Sequence, residues 1–472
     1  MSSQLAVGFD LDLTLIDTVA GFAATLRALG EELGVEFPVD DLTSRLGPPL
    51  DQTLALYLPV EGVSPAVDRF RELYPDHAVA DTVALPGAHE ALAAVRRHRG
   101  RVVLVTGKYA PNAQRHVDHL ALDVDLVEGT VWGPGKGEVL AREGVSVYVG
   151  DHVHDVEGAR AAGALSVSVL TGGCSREELE EAGTDVVLES LEAFPAWLDE
   201  HLVQTRLEAL ERDLKARGSV LVAYSGGADS AFLLAAAVRA LGPEQVVAAT
   251  GYSHSLPQVE RDPAREFAAA LGVDLLTPET HEMEREGYRA NGGDRCFFCK
   301  AELIEVLTPL AEARGIGTVV TGTNADDAVA GFRPGIRAAD ERGAAAPLRD
   351  AGLTKAQVRE ASRRWGLPTW DKPAAACLSS RVAYGVEVTP HRLARVERAE
   401  AAVRDLLAAY AVQNLRVRDL GERASVEIDQ GLLPLATDVH ADVVTAVRTA
   451  GFEEVVVDEK GFRSGSMNER LA

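Results

Sequence analysis

The chain has 472 residues but only four cysteines, three methionines and 5% aromatic residues. So few thiols cannot build the disulfide framework of a secreted protein, and they are typical of a reducing compartment. Apolar runs are short, because none reaches the roughly 18 residues that a membrane-spanning helix requires. The N-terminus also lacks the charged-then-apolar pattern of a signal peptide. We therefore expect a cytoplasmic protein without a membrane segment.

Basic residues are scarce as well. The 47 Lys and Arg residues face 72 Asp and Glu residues, which gives a formal net charge of −25. A surface of this charge repels nucleic-acid backbones and anionic lipids. Local basic pockets can still bind a nucleotide. We expect small-molecule nucleotide substrates, no nucleic-acid or membrane partner, and a homo-oligomer.

Short apolar runs alternate with Ala- and Leu-rich segments of helical spacing along most of the chain. This alternation predicts an α/β protein with parallel sheets, whose ligands bind beyond the carboxyl ends of the strands. The predicted buried strands are Ala6–Phe9, Arg101–Val105, Val145–Val149, Ser166–Leu170, Val220–Ala223, Val246–Thr250 and Gly317–Thr321.

Length and composition predict two to four domains, since a domain usually has roughly 100–200 residues. The stretch Glu189–Arg217 has no strand signal and separates two complete strand series. A second boundary is predicted near Asp371–Pro373. The expected domains are residues 1–200, residues 203–372, and a small α+β domain at 373–472, with a helix at 390–409 and three strands.

Polar residues follow several of the first strands. Asp10 and Asp12 come directly after the first strand, and Thr106 ends the second. Lys136 follows a Gly-Pro-Gly turn, and the pair Asp151 and Asp155 follows a later strand. Phosphoryl transfer requires a nucleophile, an acid/base, donors to the phosphoryl oxygens and a metal held by acids. Each feature alone also fits a solvated turn or a helix cap, but their order favours chemistry.

These motifs resemble the haloacid dehalogenase (HAD) superfamily of phosphatases over about residues 4–200. The resemblance implies a Rossmann-like domain in which Asp10 is the nucleophile and Asp12 is the general acid/base. It also implies that Thr106 and Lys136 orient the phosphoryl oxygens. The implied Mg²⁺ ligands are Asp10, Asp12, Asp151 and Asp155.

Residues about 17–85 lie between the first two motifs and are expected to form a helical cap that selects the substrate. The overall pattern is similar to members that hydrolyse phosphoglycolate or pyrophosphate. The cap sequence does not choose between these two substrates.

A glycine-rich loop follows the strand Val220–Ala223 and precedes a helix at Ala231–Leu241. Glycines let the backbone approach an anion, and the free N–H groups at a helix start bind it. The motif Ser-Gly-Gly-Ala-Asp-Ser resembles the PP-loop of ATP pyrophosphatases, which release AMP and pyrophosphate. The residues expected to bind ATP and its Mg²⁺ are Ser225, Gly226, Gly227, Asp229, Ser230, Asn324, Asp326 and Asp327.

Further motifs narrow the resemblance to LarE-type ATP-dependent sulfur transferases over about residues 203–472. They are Asp294–Lys300, Thr321–Asp327, Phe332–Gly335, Pro373–Arg381, Arg416–Arg418 and Gly461–Asn468. The resemblance implies adenylation and sulfuration of pyridinium-3,5-biscarboxylic acid mononucleotide for a nickel-pincer cofactor. Its implied substrate-binding residues are Arg333, Ser380, Arg381, Arg416 and Arg418, although any arginine could instead form a surface ion pair.

The cysteines bear on the source of sulfur. Some family members sacrifice the sulfur of one cysteine at the Cys377 position, whereas others also carry a CxxC and hold a [4Fe–4S] cluster. This chain has Cys296, Cys299 and Cys377, which favours the cluster. A structural zinc with His281 as a fourth ligand is the alternative. Cys174 lies outside these motifs and is expected to be a buried structural thiol.

The leading hypothesis is a bifunctional enzyme, with a phosphatase followed by a sulfur transferase. The phosphatase would hydrolyse the released pyrophosphate or remove a phosphate from a nucleotide. The alternatives are an amide ligase related to NAD synthetase, sulfuration of another small acceptor, and tRNA thiolation. The net charge of −25 counts against tRNA. A noncatalytic HAD half is a further alternative.

Overall fold

The computed structural model describes residues 5–44, 49–373, 376–410, 412–434 and 439–463. The chain divides into two compact units, Met1–Leu202 and Val203–Ala472. The long helix Phe194–Arg217 runs through this division. Within the described ranges, no helix is both long enough and apolar enough to cross a membrane.

The first unit contains a six-stranded parallel sheet. Its central strand Ala6–Phe9 pairs with Arg101–Val105 on one side and with Val147–Gly150 on the other. Both faces are covered, so the central strands are buried along their whole length and consist of apolar residues. The strand order is Leu126–Glu128, Arg101–Val105, Ala6–Phe9, Val147–Gly150, Leu165–Val169 and Val186–Leu188.

Helices connect these strands and cover both faces of the sheet. They are Ala88–Arg97, Ala110–His119, Pro134–Arg142, Val153–Ala162 and Arg176–Glu181. A short antiparallel ribbon, Ile16–Asp17 with Val83–Ala84, flanks an inserted helical segment. That segment contains Val19–Leu33, Val39–Ser44, Leu50–Leu54 and Val60–Ala78. It has its own apolar core, which includes Leu26, Phe70 and Tyr74, and it is the part of the chain for which a cap is predicted.

The second unit begins with a four-stranded parallel sheet. Its order is Asp274–Leu276, Val246–Ala249, Val220–Ala223 and Val319–Thr321. The accompanying helices are Ala228–Leu241, Arg261–Ala270, Glu286–Arg289, Arg295–Glu312, Ala325–Val329, Pro334–Glu341, Pro347–Asp350 and Lys355–Arg364. The helix Ala228–Leu241 is almost entirely buried because it is rich in Ala and Leu on every face.

A three-stranded sheet closes the second unit. Leu415–Asp419 and Arg423–Ile428 are antiparallel, and Glu454–Val457 pairs parallel to Arg423–Ile428. The helices Pro390–Leu406 and His440–Thr449 pack on this sheet. Its core also includes Tyr288, Phe298 and Cys299, which come from the earlier part of the unit.

The predicted α/β class with parallel sheets is confirmed. Several predicted bounds differ by one to three residues. The third predicted strand begins at Val147 rather than Val145, because Gly144 adopts a left-handed conformation and the Val145 N–H bonds back to the Leu140 carbonyl. The helix predicted to end at residue 409 ends at Leu406. Of the tail motif, residues 464–468 lie outside the described residues.

Two candidate active sites

The first site lies at the carboxyl ends of the two central strands of the first unit. Asp10 follows the strand Ala6–Phe9, and Asp151 follows its neighbour Val147–Gly150, so the two side chains meet. Asp155 comes from the first turn of the next helix. All three carboxylates are buried, and each offers an oxygen within 4.8 Å of the others.

Lys136 supplies a buried positive charge to this group. Its Nζ lies 2.6 Å from Asp155 Oδ1 and 3.2 Å from Asp10 Oδ1. One cation does not balance three carboxylates. Burial raises the pKa of Asp10 to about 6 against the opposing effect of Lys136, and burial together with Asp155 and Asp10 raises the pKa of Asp151 well above its usual value. Ionising all three carboxylates would therefore leave the site with a net negative charge, which a divalent cation would offset.

These residues fit a Mg²⁺ ion. Asp10 Oδ1 is buried and accepts no hydrogen bond, although Lys136 is near it. Carboxylate oxygens are the protein ligands that Mg²⁺ prefers. Asp151 is held in position because its Oδ1 accepts a 2.9 Å hydrogen bond from the hydroxyl of Thr14.

Asp12, which the resemblance also makes a Mg²⁺ ligand, lies outside the group of three carboxylates and pairs with a different cation. Its Oδ1 accepts a 2.8 Å hydrogen bond from Lys108 Nζ, which also lies 4.5 Å from the ring centre of Tyr74 in the inserted helical segment. Burial raises the pKa of Asp12, but the charge and hydrogen bond of Lys108 lower it more, so the net pKa is below its usual value. Sequence reasoning missed Lys108, although it stands two residues after Thr106.

A cavity of about 830 Å³ opens on this site. Thr106 is buried at its wall, and its hydroxyl accepts a 3.3 Å hydrogen bond from the Lys108 N–H. The structure brings all six predicted residues of this half to the cavity wall, namely Asp10, Asp12, Thr106, Lys136, Asp151 and Asp155. The inserted helical segment supplies part of the opposite wall.

The second site is built around the loop that follows the strand Val220–Ala223. Gly226 has a φ of +72°, which favours glycine, and the hydroxyl of Ser230 donates to the Gly227 carbonyl over 3.1 Å. A Cβ on Gly322 would come within 2.8 Å of the Ser230 nitrogen, so only glycine lets the neighbouring strand end approach the loop this closely. The loop therefore has a defined shape before any anion binds.

A cavity of about 380 Å³ extends from this loop to Cys299. Its wall includes Ser225, Gly227, Asp229 and Ser230. The carbonyl of Gly226 accepts a 2.9 Å hydrogen bond from Nζ of Lys372, which also lies on this wall. The wall also carries four basic side chains that sequence reasoning did not single out, namely Lys300, Lys355, Arg359 and Lys372. These four cations share the wall with three carboxylates, those of Asp229, Glu282 and Asp327.

The loop Asn324–Asp327 contributes unequally to this cavity. Asp327 lies on the wall, whereas Asn324 caps the helix Ala325–Val329 by accepting hydrogen bonds from the N–H groups of Asp326 and Asp327. Asp326 accepts a 2.9 Å hydrogen bond from the Lys355 N–H. Asn324 and Asp326 therefore shape the loop.

Asp229 has the features of a ligand for a second Mg²⁺ ion, in the second unit. Its Oδ1 is buried and accepts no hydrogen bond. Burial raises the pKa of Asp229, and Lys355 opposes that effect. A carboxylate oxygen beside a phosphate-binding loop fits the ion that accompanies ATP.

The three motif cysteines come from two elements of the second unit. Cys296 and Cys299 lie in the first turn and a half of the helix Arg295–Glu312, and Cys377 precedes the short turn Leu378–Arg381. Arg295 connects these two elements, because its Nη1 donates a 2.5 Å hydrogen bond to Asn291 Oδ1 and a 2.7 Å hydrogen bond to the Ser379 carbonyl. Burial raises the pKa of the Cys299 thiol, and the nearby Cys377 and Glu282 raise it further.

Among the described residues, the three motif cysteines and His281 do not form a compact group of metal-ligating side chains. Tetrahedral Zn–S bonds of about 2.3 Å place sulfur atoms about 3.8 Å apart. In the described part of the chain, Asp10, Asp151 and Asp155 are the only three metal-ligating side chains within 4.8 Å of one another. His281 is exposed and pairs weakly with Glu284 at 3.8 Å.

The predicted substrate-binding arginines have different surroundings. Arg381 is buried and pairs with Glu400 at 3.0 Å, and its Nη1 also donates to the Cys377 carbonyl at 2.9 Å. Arg418 is buried beside Glu427, with 2.8 Å between Nη2 and Oε2. These are buried ion pairs rather than the surface pairs weighed as the alternative.

The remaining predicted substrate contacts are more open or more local. Ser380 donates a 2.7 Å hydrogen bond to the Cys377 carbonyl. Arg416 is half-buried, and burial together with the charge of Arg381 lowers its pKa to about 10. Arg333 is exposed and lies 3.7 Å from Asp327.

The structure corrects the expectation that Cys174 is buried. Its thiol is only half-buried, whereas the sequence predicts a buried one. Cys174 directly precedes Ser175, which caps the helix Arg176–Glu181.

The comparisons with known proteins treat the two halves separately. A family model of haloacid dehalogenase-like hydrolases matches residues 7–160, and a second, HAD-hydrolase-like model matches residues 138–194. A haloacid dehalogenase-like hydrolase from Streptococcus pneumoniae, whose structure is solved, is 22% identical with a TM-score of 0.37 and covers 42% of this chain and 100% of its own.

Two relatives cover the remaining part of the chain. An uncharacterised protein of Synechocystis is 39% identical over 272 residues, which are 57% of this chain and 99% of the relative. The pyridinium-3,5-bisthiocarboxylic acid mononucleotide synthase of Lactiplantibacillus plantarum is 30% identical over 267 residues, which are 57% of this chain and 95% of that protein. The chain is therefore an enzyme of the LarE family of sulfur transferases and carries a haloacid dehalogenase-like hydrolase domain as well.

Proposed function

We propose that the chain is a bifunctional enzyme. The second unit adenylates a carboxylate of pyridinium-3,5-biscarboxylic acid mononucleotide and converts it to a thiocarboxylate for a nickel-pincer cofactor. The first unit is a Mg²⁺-dependent phosphatase. The observation that carries the first part is the single cavity that joins the Ser225–Ser230 loop to Cys299, because it places a phosphate cradle and one of the three motif cysteines along the same wall.

In the adenylation step, the substrate carboxylate attacks the α-phosphorus of ATP and pyrophosphate leaves. The N–H groups at the start of the helix Ala228–Leu241 bind the departing pyrophosphate, and Lys355, Arg359 and Lys372 balance its charge. Asp229 and Asp327 would hold the accompanying Mg²⁺. A sulfur nucleophile then attacks the acyl carbon and AMP leaves.

Two sources of that sulfur are open. Cys296, Cys299 and Cys377 would hold a [4Fe–4S] cluster, which when bound offers one iron without a protein ligand to carry a transferable sulfide. Otherwise Cys377 itself attacks, and elimination of its α-proton with cleavage of its Cβ–Sγ bond leaves dehydroalanine. The presence of all three cysteines supports the cluster.

In the first unit, Asp10 attacks the phosphorus of a phosphate ester while Asp12 donates a proton to the leaving oxygen. Water then attacks the aspartyl phosphate, and Asp12 takes its proton. Thr106 and Lys136 donate hydrogen bonds to the phosphoryl oxygens. The Mg²⁺ bound by Asp10, Asp151 and Asp155 would neutralise phosphoryl charge. Pyrophosphate, phosphoglycolate and a mononucleotide are the candidate substrates.

The test uses full-length protein with Asp10→Asn, so that the phosphatase cannot remove the products. Under anaerobic conditions with ATP and Mg²⁺, AMP and pyrophosphate release should depend on the pyridinium dicarboxylate mononucleotide. If AMP and pyrophosphate are released at the same rate without this acceptor, the enzyme acts on another acceptor.

The control variant is Cys377→Ala. An amide ligase would keep its activity in this variant and consume ammonia, whereas a sulfur transferase would lose thiocarboxylate formation. We further propose small-molecule nucleotide substrates, no nucleic-acid or membrane partner, and a cytoplasmic homo-oligomer. Light scattering of the purified protein would test the oligomeric state.

A further inference from the structure

We infer that the first unit acts on phosphate monoesters of the size of a mononucleotide, whose leaving group carries a flat aromatic ring, and that Trp132 is the surface on which this ring stacks. The inference rests on the proposed phosphatase function and names its substrate class. It excludes pyrophosphate and phosphoglycolate as the preferred substrates.

Trp132 lies in the wall of the same cavity as Asp10 and Asp12. It belongs to the loop after the strand Leu126–Glu128, at the carboxyl edge of the sheet where the carboxylates lie. Two further rings support it. The ring centre of His154 is 4.6 Å from that of Trp132, and the rings of His152 and His154 are stacked at 4.9 Å. The active site is thus bordered by a patch of three adjacent rings.

The loop that carries Trp132 is held in place. The Thr130 N–H donates to the Lys108 carbonyl over 2.7 Å, and the Val131 N–H donates to the Thr106 carbonyl over 3.0 Å. Thr130 has a φ of +62°, a conformation that residues other than glycine adopt at a cost. These contacts fix the indole relative to the residues that bind the phosphate.

Gly107 lies close to the indole of Trp132. A Cβ at this position would come 3.1 Å from the six-membered ring of Trp132. Glycine therefore lets the indole lie directly against the backbone of the residue that follows Thr106. A ring stacked on Trp132 would stay connected to the reacting phosphate by a short linker such as a ribose.

The rest of the cavity matches an organic leaving group. Its volume of about 830 Å³ is within the range of about 300–1,000 Å³ that encloses small organic ligands. Apolar side chains from the inserted helical segment also line it, namely Leu50, Val60, Val63, Val67 and Phe70. Pyrophosphate and phosphoglycolate have no apolar surface to bury there. A nucleobase or pyridinium ring does.

The experiment compares kcat/KM of the full-length protein for five substrates. They are AMP, nicotinamide mononucleotide, ribose 5-phosphate, pyrophosphate and phosphoglycolate. We expect kcat/KM for each mononucleotide to exceed kcat/KM for ribose 5-phosphate by about 10- to 100-fold. At 1.36 kcal/mol per tenfold, this ratio corresponds to about 1.4–2.7 kcal/mol, which is the range of one stacked base.

The variants are Trp132→Ala, Trp132→Phe and, as a matched control, Trp197→Phe, whose indole packs on Phe194 and His201. Trp132→Ala should remove the preference for mononucleotides, while its kcat/KM for ribose 5-phosphate should stay within about twofold of the wild-type value. Trp132→Phe should keep part of the preference for mononucleotides. The control should match the wild type.

Two results would overturn the inference. One is a preference of the wild type for pyrophosphate, phosphoglycolate or ribose 5-phosphate. The other is an equal loss of kcat/KM for all substrates in Trp132→Ala, while circular dichroism shows an intact fold. That result would give Trp132 a purely structural role. If no substrate is hydrolysed, the proposed phosphatase fails and the inference fails with it.

Discussion

The hydroxyl oxygens of Tyr288 and Ser379 lie 2.5 Å apart and share a buried hydrogen bond. Tyr288 belongs to the short helix before the CxxC motif, and Ser379 belongs to the turn after Cys377. The bond therefore joins the two segments that carry the three motif cysteines. Burial, followed by the charges of Cys377 and Cys299, raises the pKa of Tyr288, so the phenol stays neutral.

The first prediction concerns this bond. Tyr288→Phe leaves the buried Ser379 hydroxyl without its partner, which costs about 1–3 kcal/mol of unfolding free energy. The turn that carries Cys377 should also loosen, so Cys377 should react several-fold faster with iodoacetamide in the metal-free protein. Mass spectrometry of the labelled peptide measures this rate. The exposed Tyr410 provides the control variant, Tyr410→Phe, which should change neither quantity. Unchanged labelling in Tyr288→Phe would contradict a role in positioning Cys377.

The second prediction concerns the Cys299 thiol. Because its pKa is raised, the folded metal-free protein has less thiolate at this position at pH 8 than an ordinary cysteine has, and only the thiolate reacts. Cys299 should therefore be alkylated more slowly than the exposed Cys296, and its rate should still rise above pH 9. Labelling from pH 7 to 10 measures both. A slow rate that reaches a plateau near pH 9 would instead indicate steric protection alone.

The third prediction concerns the buried cation of the phosphatase site. Lys136→Met leaves Asp10 and Asp155 buried without their common partner, and breaking such a pair costs about 3–5 kcal/mol. Hydrogen exchange of the strand Ala6–Phe9 reports the local unfolding free energy. Arg176→Met, at an exposed ion pair of the same unit, should change it by less than about 0.5 kcal/mol. Equal effects of the two variants would refute the argument.

The fourth prediction follows from the pKa of Asp10, which rises from 3.8 to about 6 on folding. A carboxyl with a raised folded pKa binds its proton more tightly in the folded state, so metal-free stability falls as the pH rises from about 4 to 6. Asp10→Asn removes this loss and should stabilise the metal-free first unit by up to about 3 kcal/mol at pH 7 but little at pH 4. Exchange of the same strand at both pH values measures the difference. A destabilised variant at pH 7 would show that the carboxylate charge is already balanced.

The fifth prediction separates the two activities. Asp10→Asn should lower phosphate release from a mononucleotide by at least about 10³-fold, because it removes the nucleophile, and should leave acceptor-dependent AMP formation unchanged. Cys377→Ala should show the reverse pattern for thiocarboxylate formation. Parallel assays of both products in both full-length variants provide the check. Loss of both activities in either variant would show that the sites depend on each other.

The sequence by itself determined the α/β class and the motif residues of the phosphatase cavity. Asp10, Thr106 and Asp151 each follow a buried apolar strand, and parallel neighbouring strands bring their carboxyl ends together. A short local pattern is therefore enough to place these side chains at one edge of a sheet. The Ser225–Ser230 loop follows the same rule, since its strand, its glycines and its helix are contiguous.

Only the tertiary structure decided which residues from distant segments complete each site. Lys108 meets Asp12 across 96 positions, and Tyr288 meets Ser379 across 91. Lys300, Lys355, Arg359 and Lys372 reach one cavity from three separate elements, and Trp132 borders another through a loop without a motif. No local spacing encodes such contacts, because they depend on how helices and loops pack over the sheets. Strand-end motifs are local, whereas charge balance, burial and ring stacking arise only when the packed chain brings separate segments together.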